Sequence, residues 1–200
     1  MSLLQEIVVF LCGFILSWRL VAAQVFLPGG CPNVEVVTDF RPSEYLGKWY
    51  EAERYFFIFE LGGKCVTATY TDLGNGTVGV YNSNYNTITG KQSGINGTAT
   101  LSDPSVAKLA VRFPSVPGNF AAPYWVVDTD YTSYALVWSC NDFRILHTVT
   151  SWILTREQRP SSDVLNKAYA AATKNNISRK FFMKTNQDDC AAATTSNNVI

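Results

Sequence analysis

The chain has few of the groups on which most enzymes depend. A single histidine, His147, is present among 200 residues. There is no Gly-x-Ser-x-Gly nucleophile motif, and no Gly-rich phosphate-binding loop followed by Lys and Ser or Thr. The 16 Lys and Arg residues balance the 16 Asp and Glu residues, so no overall field attracts nucleic acid. These features argue against catalysis and a nucleic-acid partner, and no cofactor is expected.

The longest apolar run lies at the N-terminus. Residues 7–16 are apolar, and the small residues at 21–23 suit cleavage before Gln24. The run is shorter than the roughly 20 residues that a membrane-spanning helix needs, and Arg19 follows it, so a membrane anchor is the weaker alternative. We therefore predict a signal peptide over residues 1–23 and a secreted, extracellular protein.

Cleavage would remove one cysteine, Cys12, and leave an even number. The four that remain are Cys31, Cys65, Cys140 and Cys190. In an oxidising compartment they predict two disulfides, and their spacing leaves all three connectivities open. No two of them lie close enough for a zinc site, so no metal is expected.

Three N-glycosylation sequons agree with export. They begin at Asn75, Asn96 and Asn176, and each lies beside Gly or Asn, where a turn is expected. Residues 191–200 contain no hydrophobic stretch and are predicted to form a flexible tail. The folded domain is therefore expected over residues 24–190.

The middle of the chain alternates apolar and polar residues in short runs separated by turn residues. Eight strands are predicted, over residues 47–57, 66–71, 78–81, 95–101, 107–113, 124–128, 134–139 and 145–154. Eight strands can close into a barrel that holds one small ligand, whereas an open sheet would leave two edges to protect. The predicted fold is all-β, an eight-stranded up-and-down antiparallel barrel.

One amphipathic helix is predicted after the last barrel strand. Ser161 or Ser162 can cap it, and it ends near residues 175–176. One face carries Leu165, Ala168, Tyr169 and Ala172. A stripe this narrow indicates a C-terminal helix packed outside the barrel, and a short strand is expected after it, over residues 180–184.

Three short motifs, in this order, resemble those of the lipocalin family. The first is Gly47 and Trp49, the second Thr129, Asp130, Tyr131 and Tyr134, and the third Trp152, Ile153, Leu154 and Arg156. Over nearly the whole mature chain the sequence is most similar to the branch of apolipoprotein D and the insect Lazarillo-like lipocalins. The resemblance implies a lipocalin barrel that binds a small hydrophobic ligand.

The resemblance also implies specific residues. It pairs Cys31 with Cys140 and Cys65 with Cys190. The family's ligand-lining aromatic positions fall at Tyr45, Tyr70, Phe113 and Trp152. The implied function is lipid transport, with a fatty acid, sterol, retinoid or similar lipid in the cavity. A bilin or carotenoid pigment, or a role mainly in protein interaction and signalling, remains the alternative. Because Cys65 is committed to a disulfide, the cysteine chemistry of lipocalin isomerases is not expected.

Trp49 is expected to plug the narrow end of the barrel, with Arg156 lying across its ring. Strand alternation would then direct Glu51 and Glu53 inward as well. Either a bulge intervenes or a carboxylate lies near the cavity.

A continuous apolar run follows the first predicted barrel strand. It comprises Phe56, Phe57, Ile58 and Phe59. We interpret it as an entry loop that also contacts a membrane or lipoprotein surface, and a loop folded over the barrel opening is the alternative. The sequence does not indicate the oligomeric state.

Overall fold

The computed structural model describes residues 25–56, 62–103 and 105–190, and this part of the chain contains ten strands. They are β1 (Val25–Pro28), β2 (Gly47–Arg54), β3 (Gly63–Asp72), β4 (Thr77–Asn86), β5 (Lys91–Leu101), β6 (Lys108–Arg112), β7 (Ala122–Thr129), β8 (Tyr134–Asp142), β9 (Leu146–Thr155) and β10 (Met183–Lys184). Two helices accompany them, α1 (Pro42–Tyr45) and α2 (Ser162–Lys174), with a 3₁₀ turn at Arg179–Phe181. The predicted signal peptide over residues 1–23 and tail over 191–200 lie outside the described residues.

The eight strands from β2 to β9 form a closed antiparallel barrel. Each pairs with the next, and β9 pairs back onto β2. Closure gives every barrel strand two partners and leaves no barrel edge for another chain. The predicted eight-stranded barrel is therefore confirmed.

The predicted strand bounds were less accurate. β2 ends at Arg54 instead of residue 57, and β4 and β5 extend beyond the predicted residues 78–81 and 95–101. The added part of β4 contains Asn82, Asn84 and Asn86, which carry no apolar alternation. Backbone pairing with neighbouring strands holds this part in the sheet, and periodicity does not register that pairing.

Two elements were not predicted, and one predicted strand was largely wrong. β1 pairs with the first residues of β9, and α1 begins at Pro42. Of the predicted strand over residues 180–184, only β10 forms, because the preceding residues form the 3₁₀ turn. There the rings of Phe181 and Phe182 lie 5.5 Å and 4.8 Å from that of Tyr55, contacts that favour a local turn over an extended ladder.

A bulge in β2 determines which of Glu51 and Glu53 faces the same way as Trp49. The register against β9 shifts between Glu51 and Glu53. Trp49 lies in the cluster inside the barrel, and the buried Glu51 accepts a hydrogen bond from Arg54 Nη1 at 2.9 Å. Glu53 instead faces outward and accepts a 2.6 Å bond from Tyr169 of α2. A bulge is therefore present, and one carboxylate is nevertheless buried beside a guanidinium.

The C-terminal segment lies between β2 and β3. The Thr185 amide donates to the Ala52 carbonyl at 2.9 Å, and the Cys65 amide donates to the Asn186 carbonyl at 2.8 Å. Gln187 Nε2 bonds two further carbonyls, one from each strand. The segment therefore fills a gap that the diverging strands would leave open.

Two disulfides fasten the ends of the domain to the barrel. Cys31 is bonded to Cys140, and Cys65 is bonded to Cys190. This is the pairing that the family resemblance implies, and the structure confirms it. The first joins the N-terminal segment to β8, and the second holds the C-terminal segment against β3.

Helix α2 packs on the outer face of the barrel, as predicted. Ser161 Oγ accepts the Val164 amide, which caps the first turn. Ala168, Ala171 and Ala172 are buried, and these small side chains let the helix lie close to the sheet. Within the described part of the chain, no helix is long and apolar enough to cross a bilayer.

The narrow end of the barrel is closed by Trp49 and Arg156. Trp49 is fully buried, and the guanidinium carbon of Arg156 lies 3.7 Å from the centroid of its ring. The predicted stacking is confirmed. The same guanidinium donates to the carbonyls of Tyr131 at 3.0 Å, Lys48 at 3.0 Å and Glu44 at 2.9 Å. One side chain thus joins three segments of the chain across the indole.

We expect Arg156→Lys to lower the free energy of unfolding by about 2–3 kcal/mol, measured by urea denaturation. An ammonium is not planar and has no fork of donors, so it can neither stack like a guanidinium nor reach all three carbonyls. Arg159→Lys is the matched control, because Arg159 forms only an exposed ion pair with Asp188 and its replacement should cost under about 0.5 kcal/mol. Equal losses in the two variants would contradict this role for Arg156.

Candidate ligand-binding site

A cavity lies inside the barrel, beside the closed end. Three tyrosines, Tyr45, Tyr70 and Tyr124, line it, and the surface that they present to the enclosed space is apolar. The remaining lining residues are Phe40, Pro42, Leu46, Val78, Ala99, Leu109 and Val111. The empty volume is about 300 Å³, part of it continuous with solvent, and the enclosed part has room for about one water molecule. A larger ligand therefore requires the lining side chains to move.

The three tyrosine hydroxyls form one hydrogen-bonded network. Tyr124 Oη lies 2.9 Å from Tyr45 Oη and 2.7 Å from Tyr70 Oη. Because Tyr70 and Tyr124 are separated by 54 residues, only closure of the barrel brings their hydroxyls together. Two hydrogen bonds use two of the three hydroxyl protons, so one hydroxyl proton is not used within the network.

Burial keeps these hydroxyls uncharged. It raises the pKa of Tyr70 to about 12, against a weaker opposing effect of the bond to Tyr124. Burial likewise raises the pKa of Tyr45 and of Tyr124 well above the ordinary tyrosine value. The cavity is therefore apolar and uncharged, and the tyrosine hydroxyls bond to one another behind its apolar surface.

The structure brings together two of the four predicted pocket residues directly. Tyr45 and Tyr70 line the cavity, and their ring centroids lie 5.4 Å apart. Phe113 and Trp152 are partly buried against the same inner cluster but do not line this cavity. Their contact with a ligand stays a prediction.

Tyr124 was not predicted as a pocket residue. On β7, Tyr124 and Val126 belong to the cluster inside the barrel, whereas Trp125 and Val127 belong to the cluster under α2. The sequence signal was the alternation itself, since every second residue of a barrel strand points inward. Because Tyr124 and Trp125 are both large aromatic residues with one polar group, the sequence alone does not show which of the two faces the inside of the barrel.

The remaining motif residues support the closed end. Gly47 has φ +93°, and Arg156 passes within 3.3 Å of the position that a β-carbon would occupy there. In the loop between β7 and β8, Asp130 Oδ1 accepts the amides of Ser133 at 2.7 Å and Tyr134 at 3.1 Å. Thr129 Oγ1 accepts the Tyr131 amide at 2.9 Å. These contacts fix the loop that Arg156 holds.

His147 lies in the barrel wall. It is 5% exposed, and its Nδ1 is 2.9 Å from the carbonyl oxygen of Gly29. This contact ties the N-terminal segment to β9. Among the described residues, no group of three or more His, Cys, Asp and Glu side chains could hold a metal ion.

The three sequon asparagines are all exposed on the surface. Asn75 and Asn176 have φ +52° and +56° and lie at turns, as expected. The turn expected at Asn96 is wrong, because Asn96 lies inside β5. Its neighbour Gly97 allows the ring of Phe113 and the carbonyl of Arg112 to approach closely, so this glycine serves packing.

Most of the predicted entry loop lies outside the described residues. Phe56 is half-buried at the end of β2. Phe57, Ile58 and Phe59 are not among the residues that the structure describes.

The chain matches the family described as a lipocalin-like domain over residues 42–187. The chain belongs to the lipocalin family. The lipocalins that this chain resembles are binding and carrier proteins, and the chain is accordingly a binding protein and not an enzyme. The matched region includes all eight barrel strands and α2.

Curated relatives of this lipocalin include proteins from mammals and insects. It is 36% identical to apolipoprotein D of Macaca fascicularis, with 84% of this chain and 87% of the relative covered. It is 33% identical to the Lazarillo protein of Schistocerca americana, with 82% and 78% covered. It is 32% identical to the bilin-binding protein of Pieris brassicae, with 68% and 72% covered. The predicted likeness to the apolipoprotein D and Lazarillo branch is confirmed.

Solved structures agree on the fold. Insecticyanin from the tobacco hornworm Manduca sexta superimposes with a TM-score of 0.74 at 24% identity, covering 84% of this chain and 92% of that chain. At this identity the likeness concerns the fold alone. It matches the closed eight-stranded barrel with one helix outside.

The raised pKa of Tyr70 predicts a stability loss at high pH. The unfolded chain releases this proton near pH 10, and the folded chain releases it only near pH 12. The contribution of Tyr70 to the free energy of unfolding is therefore fully present below pH 10 and is lost progressively between pH 10 and pH 12. From Tyr70 we expect a decline of up to about 1.4 kcal/mol per pH unit in the free energy of unfolding. In Tyr70→Phe the slope measured by urea denaturation should be smaller by that amount. An unchanged slope in Tyr70→Phe would contradict the prediction.

Proposed function

We propose that this lipocalin is a secreted carrier that binds a small hydrophobic ligand, such as a fatty acid, sterol or retinoid, inside the barrel. The tyrosine network in an otherwise apolar cavity is the observation that supports this function most directly. The cavity supplies broad apolar contact, and a polar end of the ligand reaches the tyrosine hydroxyls when the lining rings move. The apolipoprotein D relatives agree with a role in lipid transport.

Secretion is proposed on three grounds. Residues 1–23 have the features of a signal peptide, two disulfides are formed, and the sequon asparagines are exposed. We further propose that glycans occupy one or more of Asn75, Asn96 and Asn176. The proposed domain of the mature chain covers residues 24–190.

The affinity expected for such a ligand is moderate. A 20-carbon fatty acid has about 22 heavy atoms, and roughly 0.3 kcal/mol per atom corresponds to about 7 kcal/mol, near micromolar affinity. Because the enclosed space holds about one water molecule, part of the contact energy must displace side chains. We propose that Phe113 and Trp152, which pack on the same inner cluster, join the ligand contacts when the cavity widens. Such affinity suits reversible carriage.

A pigment is the second candidate ligand. The observation that favours it is the 32% identity to the bilin-binding protein of Pieris brassicae. A role mainly in protein interaction is the remaining alternative. A coloured preparation would favour the pigment, and a folded protein with a consistently empty cavity would favour the interaction role.

Carriage is tested by organic extraction, mass spectrometry and an absorbance spectrum of secreted protein purified without detergent. Titration with fatty acids, sterols, retinoids and bilins, followed by tryptophan fluorescence, then measures affinity. We expect Ala99→Leu to weaken binding at least tenfold, because Ala99 lines the cavity and the larger side chain fills it. Thr100→Leu is the matched control, since the next residue of β5 is exposed and should bind like the parent. The carrier function is wrong if no compound binds. It is also wrong if the two variants bind alike and thermal melting shows that both are folded.

The role of the tyrosine network is tested separately by Tyr124→Phe. This variant removes the hydroxyl that bonds to both Tyr45 and Tyr70 and leaves the ring in place. We expect binding of a ligand with a polar end to weaken about five- to tenfold, since a lost hydrogen bond costs about 1 kcal/mol. A hydrocarbon probe without a polar end should bind as before. Equal losses for the two ligands would indicate a packing defect and no polar recognition.

A further inference from the structure

The segment that follows α2 carries a short run of cations on the outer wall of the barrel. Arg179 and Lys180 belong to the 3₁₀ turn, Lys184 ends β10, and all three side chains are exposed. β10 pairs with β2 so that Lys184 lies opposite Glu53, which faces outward. Residues directly opposite each other in a sheet share a face, so Lys184 also faces outward. We refer to these three cations as the basic strip.

Aromatic rings hold two of the three cations in place. The guanidinium carbon of Arg179 lies 3.9 Å from the centroid of the Tyr169 ring, and Lys180 Nζ lies 4.7 Å from the centroid of the Phe181 ring. Each contact adds a cation–π attraction that restricts the side chain. Because these cations are partly ordered before a partner arrives, binding costs less entropy than it would for free lysines and arginines.

The backbone of the basic strip is fixed to the barrel as well. Tyr55, which is 1% exposed, donates its hydroxyl to the Ser178 carbonyl at 2.7 Å. The Phe182 amide donates to the Arg179 carbonyl at 3.2 Å and closes the 3₁₀ turn. The cations therefore project from a defined turn and strand, and their spacing is set by the fold.

The basic strip lacks the ion pairs that neutralise neighbouring cations. Three other cations that follow β9 are each paired with an acid: Arg159 with Asp188, Lys167 with Asp130, and Lys174 with Glu35. Among the described residues, no carboxylate lies within 4.0 Å of a nitrogen of the strip. Glu53 is the acid opposite Lys184, and it accepts the Tyr169 hydroxyl at 2.6 Å. One carboxylate does not balance three cations, so this surface is positive although the whole chain is neutral.

The apolar residues of the same segment are mostly turned away from solvent. Phe181 and Phe182 are half-buried against Tyr55, and Met183, at 42%, is the single exposed apolar side chain between the cations. A surface with cations and so little exposed apolar area does not favour insertion into a bilayer. It suits an anion that stays in water.

The spacing of the cations favours a long anion over a small one. At about 2.0 Å per residue in a 3₁₀ turn and about 3.3 Å in a strand, the strip spans at most roughly 14 Å. A single phosphate or carboxylate reaches one or two cations over this distance. A linear polymer with closely spaced anionic groups contacts all three.

We propose that the basic strip binds a sulfated polysaccharide. The planar guanidinium of Arg179 donates in a fork to one sulfate, and Lys180 and Lys184 contact further sulfates as point charges. The choice of an extracellular polymer rests on the proposed secretion, whereas affinity of the strip for a polyanion does not. No residue of the strip lines the cavity, so the bound polymer would retain the protein at a cell surface or matrix and leave the ligand site free.

The experiment measures binding of the full secreted protein, with intact disulfides, to immobilised heparin at about 0.15 M salt. All proteins carry Ser178→Ala, which removes the sequon at Asn176 beside the strip; the Ser178 side chain makes no capping hydrogen bond. We expect Arg179→Gln, Lys180→Gln and Lys184→Gln together to weaken binding about tenfold or more, and the slope of log affinity against log salt to fall by about two, because fewer counterions are released.

The matched control removes the same number of cations elsewhere on the barrel. Lys48→Gln, Lys91→Gln and Lys108→Gln together change the net charge equally, at positions on β2, β5 and β6, and this variant should bind like the parent. Lys180→Arg with Lys184→Arg keeps the charges of the strip and should also retain binding. Thermal melting checks that every variant is folded.

Three outcomes would overturn the proposal. The first is no binding of the parent to heparin, and the second is an equal loss in the two triple variants, which would show an effect of net charge alone. The third is binding to anionic phospholipid vesicles that depends on the strip as strongly as heparin binding does, which would assign the strip to a lipid surface. Titration of the strip variant with cavity ligands should match the parent, so loss of heparin binding and failure of the carrier function are distinguishable.

Discussion

The pairing of β9 with β2 is the constraint on which the rest of the structure depends. It converts a ladder of consecutive hairpins into a closed barrel and thereby gives every strand an inner and an outer face. The inner faces form the cavity, and the outer faces of β7, β8 and β9 form the bed for α2. Arg156 follows the last residue of β9, where it reaches Trp49 and the carbonyls that seal the narrow end. Closure therefore produces the core, the site and the sealed base together.

The site that results is apolar, narrow and uncharged. Burial keeps the three tyrosines protonated, and their hydroxyls bond to one another behind the apolar surface of the cavity. Such a site does not attract ions, and apolar contact would supply most of its affinity for a ligand. Because the enclosed space is small, binding depends on how readily the inner side chains move.

Sequence reasoning succeeded where the structure follows from a local pattern of neighbouring residues. Apolar alternation predicted eight barrel strands, and the serine cap with a narrow alanine face predicted α2. It failed where the cause lies in a distant partner. The asparagine-rich end of β4 is a strand because its neighbours pair with it, and Asn96 lies in a strand because β5 pairs there with β4. Tyr124 joined the site only once closure placed it beside residues 54 and 79 positions away.

By itself, the sequence determined the class of fold, the number of barrel strands, the outer helix and, through family resemblance, both disulfides and the pairing of Trp49 with Arg156. These follow from local periodicity, capping and motifs, which are properties of neighbouring residues. Only the tertiary structure decided the bulge that separates Glu51 from Glu53, the insertion of the C-terminal segment between β2 and β3, and the tyrosine network. The physical reason is the same in each case: register and closure join residues far apart in the chain, and no local pattern encodes the distance between two side chains on different strands.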